Sequence, residues 1–227
     1  MKIIQPSAEF ITPIDSDYII KTLETIGRTA YQSFDKDPDG SKAKEFIINI
    51  IDRGHESVIE HISLTARFIV DRGVSHELVR HRIASFTQES TRYCNYANGK
   101  YGRELTFIDI RPFIADEVSR DVWENEMHNA EDAYLYLIGS GCSPQIARSV
   151  LPNSLKTEVI MTANLREWRH FFKLRCSKAA HPQMRQVANM LLNEVMESGI
   201  HIIFKDIWLD LCKEGLNASV GNAGGNS

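Results

Sequence analysis

A chain of 227 residues with 43% hydrophobic and 25% charged side chains has the make-up of a soluble globular protein that can bury a core. Its formal net charge of −4 excludes a general nucleic-acid binder, which carries a basic stripe and a high pI. Arginine nonetheless outnumbers lysine, fifteen to eleven, and the arginines cluster, which points to a small anionic ligand rather than a polymer.

The opening Met1-Lys2-Ile3-Ile4-Gln5-Pro6 reads as neither a secretory signal nor a transit segment. No apolar run approaches the roughly 20 residues that a bilayer span needs. Cys94, Cys142, Cys176 and Cys212 are too far apart for a zinc ribbon or a Cys-x-x-Cys redox pair. The expectation is a cytoplasmic protein with reduced thiols and no membrane contact.

From Ser16 to Tyr31, Ile19, Leu23, Ile26 and Ala30 recur at helical spacing. Asp35 to Ser41, with Pro38 and Gly40, reads as a loop, after which Ser41 caps a second helix that stops near Gly54. His61 to Val70 alternates apolar and polar residues and predicts a half-buried strand. Ser75 then caps a short helix to Arg82, followed by an irregular or extended piece through Tyr96. Asn98-Gly99-Lys100-Tyr101-Gly102 is turn material, and Glu104 to Ile110 a strand ended by Pro112. A long helix spans about Ala115 to Ile138, and Pro144 opens a short one containing Arg148. Thr157 to Ala163 reads as a strand; helices follow over Asn164 to Arg175, Pro182 to about Glu197, and Ile200 to Leu211. Helices outnumber strands without regular alternation, so the expected class is α+β, a small and mostly antiparallel sheet covered by helices. Residues 1–214 read as one domain and 215–227, rich in Gly, Asn and Ser, as a disordered tail. The Gly-rich patterns of Rossmann and P-loop nucleotide sites are missing.

Four stretches carry candidate chemistry. Arg80-His81-Arg82-Ile83-Ala84-Ser85-Phe86-Thr87-Gln88-Glu89-Ser90-Thr91-Arg92-Tyr93 holds three arginines, a histidine and four serine or threonine hydroxyls against one carboxylate. Guanidinium forks, hydroxyls and free backbone N–H groups suit phosphate. On a helix Arg80 and Arg82 point nearly opposite ways, so they would serve two ligands, or one ligand and one structural partner. The bland alternative is a solvated surface run, against which stands the apolar flank of Leu78, Val79, Ile83 and Ala84. Arg53 to His61 pairs two histidines with two glutamates: a zinc site, or a loop knitted by its own side chains, although His55 and His61 do not share one helix face. Arg148 precedes Leu151-Pro152 and could simply tie down a loop. Arg166, His170 and Lys173 share a face of the helix from Asn164 to Arg175, which could equally be a salt-bridged surface helix.

Arg80-His81-Arg82, seven further residues, then Ser90-Thr91-Arg92-Tyr93, resembles the signature of the flavin-dependent thymidylate synthases, and Gly54-His55-Glu56-Ser57 resembles the block that precedes it. Four blocks from Gly54 to Arg175 stand in the family's order. The resemblance implies conversion of dUMP to dTMP, with carbon from methylenetetrahydrofolate and hydride from FAD reduced by NADPH, in a homotetramer with active sites between subunits. It assigns His55, Ser57, Arg80, His81, Arg82, Gln88, Asn164, Arg166 and His170 to the flavin. To the nucleotide it assigns Glu77, Arg80, Gln88, Glu89, Ser90, Thr91, Arg92, Arg148 and Arg175. Arg175 would stabilise charge on the pyrimidine, Ser90 would bind rather than attack, and no metal is implied. The chain departs from many members at Thr87-Gln88 (Asn-Glu there), Glu77 (Gln) and His170 (Asn). Two other readings remain. Cys176, beside Arg175, could be a nucleophile of the unrelated cysteine-dependent synthases, or a buried small hydrophobe. The same arginines could also serve a non-catalytic nucleotide- or phosphate-binding protein, with a zinc hydrolase a distant third.

Overall fold

The computed structural model describes residues 1–34, 37, 40–94, 96, 104–213 and 215. Two short strands open the chain, β1 (Lys2–Ile4) and β2 (Ser7–Phe10), followed by helices α1 (Ser16–Tyr31) and α2 (Ala43–Asp52). A 3-10 segment, Glu56–His61, leads into β3 (Ser63–Asp71), α3 (Arg72–Leu78) and β4 (Ala84–Gln88). Next come β5 (Thr106–Ile108), the long α4 (Glu117–Gly139) and α5 (Pro144–Ala147), which continues as a 3-10 turn over Arg148–Val150. The chain closes with β6 (Lys156–Asn164), α6 (Leu165–Arg175), α7 (Pro182–Glu197) and α8 (Lys205–Lys213). The α+β expectation holds: a four-stranded antiparallel sheet of order β2-β3-β6-β4, with a separate parallel pair of β1 and β5.

Two compact units divide the chain. The first comprises residues 1–7, 67–82 and 86–160; the second, residues 8–66, 83–85 and 161 onward. The first packs Leu105, Phe107, Met127, Tyr134 and Leu155 into one apolar cluster. The second is built on aromatic contacts along α6: Trp168 meets Phe10 edge-on at 5.0 Å, and Phe172 meets Phe204 at 5.5 Å. Trp168 satisfies its buried indole N–H on the Leu64 carbonyl at 3.1 Å, which ties the helix to β3. Alternation in β3 buries Leu64, Ala66, Phe68 and Val70, and β6 repeats it with Thr157, Val159, Met161 and Ala163.

Several expectations are corrected. Asp71, not Ser75, caps α3: its carboxylate accepts from the Val74 N–H at 2.7 Å, while the Ser75 hydroxyl donates to the Arg72 carbonyl at 2.8 Å from inside the helix. The helix ends at Leu78, and Arg80 and Arg82 lie beyond it. Ser41 does not cap α2 either; the Asp37 carboxylate accepts the Lys42 N–H at 2.9 Å and the Ser41 hydroxyl at 3.2 Å. His61 belongs to the 3-10 segment, β5 is only three residues long, and the last helix is interrupted before Lys205. Strands β1 and β2 were not expected, and β4 forms within the stretch read as irregular or extended. The predicted turn over 98–102 and the tail over 216–227 lie outside the described residues, as does most of the loop over 35–39. No helix among the described residues is long and apolar enough to cross a membrane.

Candidate functional site

The predicted site residues fall into two groups, one in each unit. In the first unit, β4 runs out into Glu89, Ser90, Thr91 and Arg92. Beside them a cleft of ≈ 490 Å³ is lined by Arg72, Thr91, Gln145, Arg148, Ser149 and Asn153, with Leu151 and Pro152 and, among the described residues, no carboxylate. The Arg148 guanidinium donates to the Thr91 hydroxyl at 3.1 Å, so the signature stretch and the Arg148 segment share this cleft. Among the described residues, the buried NH1 of Arg72 has no hydrogen-bond partner. A buried donor left unmade costs about 1–3 kcal/mol. Pro144 fixes the start of α5, and the 3-10 turn after it places Arg148 at the rim. The Ser90 hydroxyl accepts the Arg92 N–H at 3.3 Å, and the Arg92 guanidinium lies 5.7 Å from the Tyr93 ring centre.

Arg80 and Arg82 are exposed and, among the described residues, have no side-chain hydrogen bond or ion pair, while His81 between them is buried. Glu77 is half-buried on the last turn of α3. Gln88 is turned inward: both its amide hydrogens are donated, to Ser75 Oγ at 2.9 Å and Thr157 Oγ1 at 3.1 Å. Only its Oε1 remains for a ligand. Glu89 accepts from Lys156 Nζ at 2.8 Å and the Tyr96 hydroxyl at 2.9 Å, while its backbone N–H donates to the Glu158 carbonyl at 2.8 Å. It faces a second cleft, of ≈ 540 Å³, together with Thr87, Gln88, Lys156 and Glu158. Burial, and after it the Glu89 charge, pushes the Tyr96 phenol far above its usual range, so Tyr96 stays a proton donor in that bond.

In the second unit, His55 and Ser57 are exposed on either side of Glu56. Tyr31 contacts His55 through its hydroxyl and Nδ1, with the rings stacked 6.2 Å apart. Asn164 caps α6, its Oδ1 accepting the Glu167 N–H at 2.9 Å. Arg166 and His170 are exposed one turn apart on α6, and Arg175 is half-buried at its end. Arg166 pairs with Glu60 and approaches Glu56 at 3.7 Å, which brings the His55–Ser57 turn and the helix face together. Cys176 has no solvent exposure, and burial pushes its thiol pKa up, so a thiolate nucleophile there is disfavoured.

Sequence reasoning missed Arg72, Lys156, Tyr31 and Arg169. The Arg72 backbone N–H donates to Asn153 and Leu155 carbonyls, a long-range contact that no local spacing announces.

The chain matches the family model described as thymidylate synthase complementing protein over residues 16–198. It is 38% identical over 167 residues to a flavin-dependent thymidylate synthase of Geobacter sulfurreducens, covering 73% of this chain and 70% of the relative. Against the flavin-dependent thymidylate synthase of Pyrococcus furiosus the identity is 34% over 191 residues, covering 79% and 76%. A crystal structure of a UMP/dUMP methylase, PolB from Streptomyces cacaoi, bound with 5-Br dUMP, shares the fold. Its TM-score is 0.72 at 23% identity, over 91% of this chain and 97% of that one. By the family match over most of its length and by these relatives, the chain, which carries the arginine signature, belongs to the flavin-dependent thymidylate synthase family.

Proposed function

We propose that this chain converts dUMP to dTMP, taking the carbon from methylenetetrahydrofolate and reducing equivalents from NADPH through bound FAD. The observation that carries this reading is the cleft holding Arg72, Thr91 and Arg148: an arginine–hydroxyl pair and, among the described residues, a buried guanidinium nitrogen without a partner and no acidic side chain. That donor set fits a nucleotide's terminal phosphate.

In this reading Arg72, Arg92 and Arg148 bind the phosphate with Ser90 and Thr91. Arg175 stabilises negative charge as the uracil C5 becomes nucleophilic, through preorganised donors aimed at developing charge. Glu77, Gln88 and Glu89 complete the nucleotide side, Glu89 chiefly by anchoring the strand end that carries Ser90 and Thr91. The exposed guanidiniums of Arg80 and Arg82 are the donor set that an anionic cofactor needs, and with His81 they hold FAD, Arg80 reaching dUMP as well. His55, Ser57, Gln88, Asn164, Arg166 and His170 supply the remaining flavin contacts. Bound flavin supplies the hydride chemistry; the protein's work is to bind, orient and neutralise charge. We assign one catalytic domain to residues 1–214, assembled as a cytoplasmic homotetramer with active sites between subunits.

The test is tritium release from C5-labelled dUMP with FAD, NADPH and methylenetetrahydrofolate, on protein that purifies yellow and is bleached by NADPH. A colourless protein that takes up no FAD and releases no tritium, yet binds dUMP, would replace the enzyme with a nucleotide-binding protein. Light scattering tests the tetramer.

A further inference from the structure

We propose that Arg169 is a positioning residue that holds Glu56 and so keeps the Arg166 guanidinium available to the flavin. This inference rests on the assignment of Arg166, with His55 and Ser57, as flavin contacts.

The side chain of Arg169 is almost wholly buried, and its fork is occupied on every edge. Nε donates to Glu56 Oε1 at 2.9 Å; NH1 and NH2 grip the two Asp206 oxygens of α8 at 2.7 and 2.6 Å; NH1 also meets the Ile203 carbonyl. Four of the five guanidinium hydrogens thus have acceptors. This exceeds what neutralising one buried cation requires, because Asp206 alone matches its charge. The second carboxylate, Glu56, is the informative one. It lies within ion-pair reach of three cations: Arg169 at 2.9 Å, Arg166 at 3.7 Å and Lys173 at 4.0 Å. Only the bond to Arg169 has hydrogen-bond length.

Arg166 already pairs with the exposed Glu60. Were Glu56 released, a half-buried carboxylate would need a new partner, and Arg166 is the nearer of the two cations that remain. Arg166 would then be hydrogen-bonded to two carboxylates, its donors turned from a ligand to the protein. Because His55 and Ser57 flank Glu56, the same release would loosen their turn. Arg169 touches neither ligand; it acts through Glu56.

Fluorescence titration with FAD tests this, alongside dUMP binding by calorimetry. Arg169→Met is expected to raise the FAD Kd roughly 10-fold, about the worth of one charge-assisted hydrogen bond. The dUMP Kd is expected to move less than about threefold. Adding Glu56→Gln to Arg169→Met removes the charge that captures Arg166, so FAD affinity is expected to return to within about threefold of wild type. If Arg169 were merely structural, the double variant would bind FAD as weakly as the single one, or more weakly, and the proposal would be overturned. Should circular dichroism show Arg169→Met unfolded, Arg169→Lys carries the comparison. It keeps the charge but cannot hold both Glu56 and Asp206. Arg166→Ala separates the two levels. Wild-type FAD affinity in that variant removes the flavin assignment and this inference with it. Weakened binding there, without rescue by Glu56→Gln, removes the positioning role alone.

Discussion

Replacing Arg72 by Met should produce two opposite effects in one variant. The Arg72 NH1 is buried without a hydrogen-bond partner among the described residues, so the ligand-free protein carries a desolvation cost that an apolar side chain of similar length would not. Such an orphaned donor costs about 1–3 kcal/mol. Arg72→Met is therefore expected to match or exceed wild-type stability in the absence of ligand. A hydrogen bond to a charged group contributes about 1.5–3 kcal/mol, so the dUMP Kd should rise about 10- to 150-fold at about 1.4 kcal/mol per decade. Thermal unfolding with and without dUMP, paired with calorimetric titration, reads both quantities. The backbone should be undisturbed, because the Arg72 N–H bonds to Asn153 and Leu155 do not involve the side chain. A variant that binds dUMP as tightly as wild type, or that is destabilised by several kcal/mol without ligand, would refute the reasoning and leave Arg72 a structural cation.

Arg175→Ala should lower kcat by about 10²–10³-fold, the usual loss for one donor to developing charge, with flavin content retained; full turnover would remove it from the pyrimidine. Cys176→Ser should keep measurable dUMP turnover, and a folded, flavin-loaded but inactive variant would restore cysteine chemistry. Acid should weaken the fold through Glu158. The Arg67 guanidinium, bonded at 2.7 Å, holds this carboxyl below its ordinary value of 4.5. A depressed folded pKa gives stability that is present above that ordinary value and lost as pH falls through the folded one. The melting-temperature gap between wild type and Glu158→Gln should therefore be open at pH 7 and close progressively below about pH 4.5; a gap that widens in acid would contradict the pairing.

Much of the helical framework was legible because its signals are long or doubled. The helix over Ser16–Tyr31 shows its period over four turns, Asn164 and Pro182 open α6 and α7, and β3 alternates cleanly over its length. Three- to five-residue strands such as β1, β2 and β4 are too short for alternation to stand out, and their partners lie far along the chain. Ser75 and Asp71 are both competent caps four residues apart, and only the end of β3 decides between them. The site divides the same way. The family resemblance singled out Thr91 in the signature and Arg148 in a separate block, which the structure joins in one cleft, whereas Arg72 follows a strand end and Arg169 hides among the aromatic residues of α6. Their significance depends on acceptors brought in from distant segments, or on the lack of one.

The inward turn of Gln88 gives its neighbourhood a polarity. A hydroxyl has one proton to give, and that of Ser75 goes to the Arg72 carbonyl, so toward Gln88 the serine can only receive. The relay runs in one direction, from amide through hydroxyl to the peptide oxygen of the residue that carries the orphaned guanidinium. A carboxylate at position 88 would meet a lone pair at Ser75 and could recruit a proton only from Thr157. Glutamine at 88 and serine at 75 therefore form a matched donor–acceptor pair, and a carboxylate at 88 would break it.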